Sequence, residues 1–211
     1  MASISVDYYS SSLMRTTTLN VILPFDNPDD AWAVDAALCR DPHTWEAAPY
    51  PPRIAPLRTL ILLHGINGNH TDIISETRIT KWASEHRIAV VMPSGYNAFY
   101  IDSPETHNYF GRFVGLELPH VVRRMFPLSE RREDMFIGGI SMGAYGALRN
   151  GFKYAENFGA IIALSSAMII DNFDALIRDE PFFLSRPFLE AIFGDLDRVV
   201  EPLILADREE K

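Results

Sequence analysis

The sequence predicts an α/β fold: a mostly parallel sheet with helices on both faces. Three observations predict it. Short continuous apolar runs at residues 60–63, 88–92 and 160–164 have the composition of strands buried on both sides. Between them lie segments of helical periodicity, and strands alternating with helices place their strands parallel. The third observation is the junction at residues 135–148, where an apolar strand run passes through Gly139-Ile140-Ser141-Met142-Gly143 directly into helix-forming residues.

Taken in order, residues 3–9 and 16–23 read as two strands around the turn-prone Ser10-Ser11-Ser12. The second is rich in β-branched residues and is stopped by Pro24. Residues 27–58, with Pro49-Tyr50-Pro51-Pro52, read as a surface insertion that has room for a short helix at 31–38. After the strand at 60–63, a helix is expected at 77–86, and the strand at 88–92 ends at Pro93. A long helix is expected from about 106 to 126, with Leu118, Val121, Val122 and Met125 on one face. The strand from Met135, the helix after Ser141 and the strand at 160–164 complete the pattern.

With 211 residues, 47% hydrophobic and 22% charged, one globular domain over 1–211 is expected. The net charge of −9 argues against nucleic acid or an anionic membrane as partner. Cys39 is the single cysteine, so no intrachain disulfide can form. The first residues lack a basic n-region, and no apolar run reaches membrane-spanning length; a cytoplasmic protein is expected.

The junction carries the chemistry. A serine on a sharp strand-to-helix turn needs glycine at both flanks, where the backbone arms come close. Such a turn lifts the Ser141 hydroxyl above the sheet edge and aims the Met142 amide, at a helix N-terminus, toward a developing oxyanion. A second donor is expected from His64-Gly65-Ile66-Asn67-Gly68-Asn69, a glycine-rich loop directly after the strand at 60–63, with the Ile66 amide as the candidate. His64 then shapes the loop and is not the catalytic base. Alternative readings are a glycine-rich turn with an idle serine and an ordinary βα turn; each is weakened by the presence of the other motif.

These blocks, with Val90-Val91-Met92-Pro93-Ser94 and Glu117-Leu118-Pro119-His120-Val121, resemble the esterase D group of α/β-hydrolases, and within it the bacterial tributyrin-esterase-like carboxylesterases. The resemblance runs from about Ile4 to the C-terminus, with 27–58 as an insertion. It implies an α/β-hydrolase fold and a serine-esterase cycle in which Ser141 attacks a small ester, an acyl-enzyme forms and water releases the acid. It also implies a homo-oligomer, no cofactor, and Tyr100 and Asp102 as substrate-binding residues beside the acyl pocket. No metal-ligand spacing such as His-Glu-x-x-His is present.

One part of the pattern breaks. Such hydrolases place nucleophile, acid and histidine in that order, yet His43, His64, His70, His86, His107 and His120 all precede Ser141. His70 and His107 (expected to open a helix) read as surface or loop residues, and His120 as a helix residue one turn from solvent. Asp171 stands where some unrelated α/β-hydrolases place the acid. Laid against the family, residues 193–195 and 201–203 look like the segment before the last two strands, so a fold truncated before those strands is expected, with the 160–164 strand left as an apolar edge. Loss of the base costs a serine triad on the order of a millionfold, about 8 kcal/mol of barrier. The expected function is therefore a short-chain carboxylesterase impaired by the missing histidine. A non-catalytic binding protein on the same architecture and an acyltransferase are the other readings.

Overall fold

The computed structural model describes residues 1–24, 56–167 and 185–196. Its first two strands, β1 (Ala2–Ser10) and β2 (Arg15–Leu23), form an antiparallel hairpin in the register Ala2 to Leu23 and Ser10 to Arg15. β1 keeps a strict alternation of half-buried and exposed residues, as an edge strand solvated on one face does. β2 loses that alternation where it pairs antiparallel with the next strand inward, and Val21 and Ile22 are both fully buried.

The central strands are β3 (Arg58–Leu63) and β4 (Ile88–Pro93), followed by β7 (Met135–Ile140) and β8 (Ala160–Leu164). Their order is β1-β2-β4-β3-β7-β8, and the pairs β3–β4, β3–β7 and β7–β8 are parallel. β3 thus lies between β4 and β7, and the loops leaving β3 and β7 emerge side by side at their carboxyl ends. In open α/β sheets that is where ligands bind. Arg58, the last residue of the expected 27–58 insertion, is the first residue of β3, and Leu57 before it forms an isolated bridge to Leu128 through backbone bonds to Pro127 and Ser129. The segment 25–55, including the expected helix at 31–38, lies outside the described residues.

Two hydrophobic clusters cover the sheet. The larger contains Ile61, Leu63, Val91, Phe113, Leu118, Ile137 and Tyr145; the smaller joins Ile22, Val90 and Met92 to Ile79 and Ala83. Ile79 and Ala83 come from α2 (Ile79–Glu85), which follows the short α1 (Asp72–Glu76). The helix expected over 77–86 is α2, which starts two residues later; the sequence does not predict α1 before it, and Thr77 stands between the two. Its hydroxyl donates to the Ile73 carbonyl and accepts the Ile79 N–H at 3.1 Å, closing one helix and starting the next.

The long helix expected from 106 is also divided. Residues 102–109 form a small hairpin, β5 (Asp102–Ser103) and β6 (Asn108–Tyr109), with Pro104 in its connection and His107 at φ 52°. His107 is therefore a turn residue and does not open a helix. Helix begins at α3 (Phe110–Arg112), widens into a π-type turn over Phe113–Glu117 and continues as α4 (Leu118–Met125). The wide turn lets Gly115 sit against the Tyr154 ring, where a Cβ would lie 2.0 Å from a ring carbon. Leu118 and Val122 are buried as predicted, but Met125 is 47% exposed because the helix ends there and its last turn projects past the core.

After β7 comes α5 (Met142–Lys153), and α6 (Arg186–Phe193) inserts Leu189 and Phe193 into the larger cluster, Phe193 edge-on to Phe99 and Tyr145. Among the described residues β8 is the outer strand on its side, and Ile162 and Leu164 are 41% and 52% exposed. Replacing Thr77 by alanine removes the hydroxyl that serves both α1 and α2. The expected outcome is a loss of about 1 kcal/mol, read as a lower urea midpoint at unchanged slope.

Candidate active site

Ser141 occupies the bend between β7 and α5 with φ 55° and ψ −116°, a conformation that L-residues avoid and that costs about 1–3 kcal/mol. The surroundings enforce it. The Ser141 N–H donates to the Leu164 carbonyl at 2.9 Å, and its carbonyl accepts the N–H groups of Tyr145 and Ala167 at 3.1 and 3.2 Å. A Cβ on Gly139 would lie 2.2 Å from the Gly143 carbonyl oxygen, so the two arms of the bend touch there as the sequence predicts. Gly143 is constrained differently. Its missing Cβ would meet the Leu63 and His64 carbonyl oxygens at 2.2 and 2.6 Å, so the start of α5 is pressed on the end of β3. Ser141 itself is half-buried and Ile140 is exposed, which keeps the nucleophile candidate at the surface.

The loop after β3 meets this bend. A Cβ on Gly65 would be 3.6 Å from the Ile140 carbonyl and 3.7 Å from Ser141 Cβ, so the loop backbone and the serine are in van der Waals range. Ile66 follows, with its side chain against the larger core cluster. Among the described residues no hydrogen bond occupies the Ile66 amide. Met142 opens α5, so its N–H has no acceptor within the helix.

His64 holds the loop from below. It is 2% exposed; its Nε2 accepts the Gly95 N–H at 2.9 Å, which leaves the proton on Nδ1 to donate to the Gly65 carbonyl at 2.7 Å. Burial pushes its pKa below the ordinary histidine value, so the ring is neutral and both nitrogens are occupied. That arrangement shapes the loop and leaves no free nitrogen for Ser141. Tyr100, fully buried, donates its hydroxyl to the His64 carbonyl at 3.3 Å, and burial raises its pKa. Its ring fills the space over Gly95 and Gly146, where Cβ atoms would come within 2.2 and 2.6 Å of it.

Asp102 accepts the Arg112 N–H at 2.9 Å and faces Lys153 Nζ at 3.8 Å. Both candidate substrate-binding side chains are thus engaged by protein groups: Tyr100 supports the loop, and Asp102 ties the small hairpin to α3 and α5. Sequence reading missed two groups in this neighbourhood. Asn97 accepts the Asn67 N–H at 2.7 Å and donates back to the Asn67 side chain at 3.0 Å. Asn150, fully buried, donates to the carbonyls of Tyr100 and Gly146 at 2.8 and 2.9 Å. Only Asn67 carried a signal, as asparagine in a glycine-rich turn; its φ is 61°.

The other histidines are dispersed. His86, His107 and His120 are exposed, and the half-buried His70 accepts Asn20 Nδ2 at its carbonyl at 3.1 Å. His43, Asp171 and residues 201–203 lie outside the described residues. Among the described residues no three His, Cys, Asp or Glu side chains are grouped as metal ligands, and no helix is long and apolar enough to cross a membrane.

Comparison with known proteins fits this geometry. Residues 37–189 match the model of the Esterase family, described as "Putative esterase". The chain belongs to that family. It is 41% identical over 201 residues to an acetyl esterase of Caldicellulosiruptor saccharolyticus, an alignment covering 95% of this chain and 70% of that one. Among solved structures it superposes on FphF, a fluorophosphonate-binding serine hydrolase of Staphylococcus aureus, with TM-score 0.73 and 29% identity, over 96% of this chain and 69% of that chain. The S-formylglutathione hydrolase FrmB of the same organism gives TM-score 0.67 and 30% identity, over 93% and 67% of the two chains. The architecture is that of an α/β-hydrolase, and the activity class of this esterase-family chain is carboxylic ester hydrolysis.

The neutral His64 has a pH signature. In the unfolded chain this imidazole takes up a proton as the pH falls through about 6.5, whereas the folded ring resists until lower pH. The unfolded state then binds more protons, so stability falls on acidification through that window. A stability-against-pH curve from urea unfolding is expected to be shallower below pH 6.5 in His64→Gln than in the parent chain.

Proposed function

We propose that this chain cleaves short-chain acyl esters through an acyl-enzyme on Ser141. What supports the reading is the strained Ser141 at the surface beside the Gly65 loop, with Met142 at the first position of α5 and, among the described residues, no hydrogen bond to the Ile66 amide. Ser141 Oγ attacks the ester carbonyl carbon while the carbonyl oxygen takes the electron pair. The Ile66 and Met142 N–H groups bind that oxyanion, which discriminates the tetrahedral state from the planar ester. The C–O bond then breaks, the alcohol leaves with a proton, and water attacks the acyl-serine to release the acid. Tyr100 and Asp102 act on the substrate through the loop and hairpin they position.

No histidine follows Ser141 in these 211 residues, and both His64 nitrogens are engaged. His64 is therefore not the base; in this reading the Ser141 proton passes through solvent to the leaving alcohol, and the oxyanion site and substrate binding supply rate enhancement. The net charge of −9 is consistent with a small-molecule substrate and no nucleic-acid partner. The tributyrin-esterase likeness, a homo-oligomer and a cytoplasmic setting belong to the same proposal.

Incubating the chain for hours with 4-nitrophenyl acetate is expected to give a slow, single-turnover burst approaching one nitrophenol per chain, with an acetyl group found on the Ser141 peptide by mass spectrometry. Ser141→Ala is expected to abolish burst and adduct. A parent chain that shows neither would sink the esterase proposal in favour of a binding role. A 4-nitrophenyl ester series, acetate to octanoate, is expected to favour the short acyl chains.

A further inference from the structure

Beside the oxyanion loop lies a cavity of about 440 Å³, lined by Arg15, Tyr96, Asn97, Asn108, Phe110 and Ile192 among others. Its volume suits a small organic ligand. Asn97 joins it to the candidate active site, since the same side chain holds Asn67, two residues after the Gly65 that touches Ser141. The Arg15 guanidinium carbon stands 5.0 Å from the Tyr96 ring centre and 5.5 Å from that of Phe110. Aromatic faces hold a guanidinium in place but supply no oxygen for its N–H groups. Among the described residues no carboxylate pairs with Arg15, and its Nε is buried without a hydrogen-bond partner. In a chain of net charge −9, an arginine at a cavity wall with no salt-bridging carboxylate among the described residues is a preformed place for an anion.

We infer that this cavity is a subsite for a carboxylate carried by the ester substrate, with Arg15 as the residue that recognises it. Resting on the esterase reading, the inference adds a substrate class to it: esters whose acyl or alcohol part ends in a carboxylate. One guanidinium offers one positive charge and a planar fork matched to the two oxygens of a carboxylate. Asn108 adds a polar group to the lining, and Tyr96, Phe110 and Ile192 give apolar walls for the spacer between carboxylate and ester.

The test uses probes that need no ester chemistry, so that it stands apart from the burst experiment. The full chain and its Ser141→Ala, Arg15→Met and Arg15→Lys variants are titrated calorimetrically with 4-acetamidobenzoate and with the neutral 4-acetamidobenzamide. The benzoate is expected to bind the parent and Ser141→Ala about tenfold or more tightly than the benzamide, as a charge-assisted bidentate contact does. Arg15→Met is expected to lose that preference and Arg15→Lys to keep only part of it. Equal binding of the two probes to the parent, or a preference that survives in Arg15→Met, overturns the inference. Should Arg15→Met fail to fold, protection of Arg15 in the parent from phenylglyoxal, mapped by peptide mass, decides: protection by the benzoate alone supports the subsite, and its absence overturns it. A lost burst with intact benzoate selectivity would sink only the esterase mechanism, and the converse only the subsite.

Discussion

The constraint on which the site depends is the contact between the first turn of α5 and the last residues of β3. Gly143 has no side chain because the Leu63 and His64 carbonyls occupy the space, and Gly139 has none because the Gly143 carbonyl occupies its own. Two parallel neighbours are thus drawn together at their carboxyl ends more closely than side chains allow. One strand delivers a serine there and the other delivers a loop of backbone. Local propensity does not favour a serine at φ 55°; bonds from Leu164, Tyr145 and Ala167 outweigh its cost by fixing the backbone on both sides.

A layer of buried polar groups supports the loop. His64 bridges Gly65 and Gly95, the Tyr100 hydroxyl bonds to the His64 carbonyl, and Asn150 holds the Tyr100 carbonyl from α5. The order is a chain of hydrogen bonds running from helix to aromatic ring to imidazole to loop. Each member is satisfied, and such networks rigidify a site when no member is left unpaired. Rigidity matters to an oxyanion site because its donors must already be in place when charge develops.

How much of this was legible in the residues follows the range of the forces involved. The strands at 58–63, 88–93, 135–140 and 160–164 were readable because a buried parallel strand writes itself as a contiguous apolar run. The bend at Ser141 was readable because its glycines are local requirements. Thr77 reads as the start of a helix, but the five-residue α1 before it is too short to leave a periodic pattern. The 102–109 hairpin was missed because helical periodicity from 110 onward was extended backward over it. The partners of Tyr100 and Asp102, namely His64, Arg112 and Lys153, are distant enough in sequence that no local pattern announces them.

The Leu164 carbonyl that receives the Ser141 N–H belongs to β8, the outer strand among the described residues, with an exposed apolar flank. The backbone at Ser141 therefore takes its posture from the strand that is outermost among the described residues, where fraying is cheapest. A firmly held β8 keeps the bend at its unusual dihedrals, and a β8 that frayed would release the Ser141 N–H and let the bend relax toward ordinary ones.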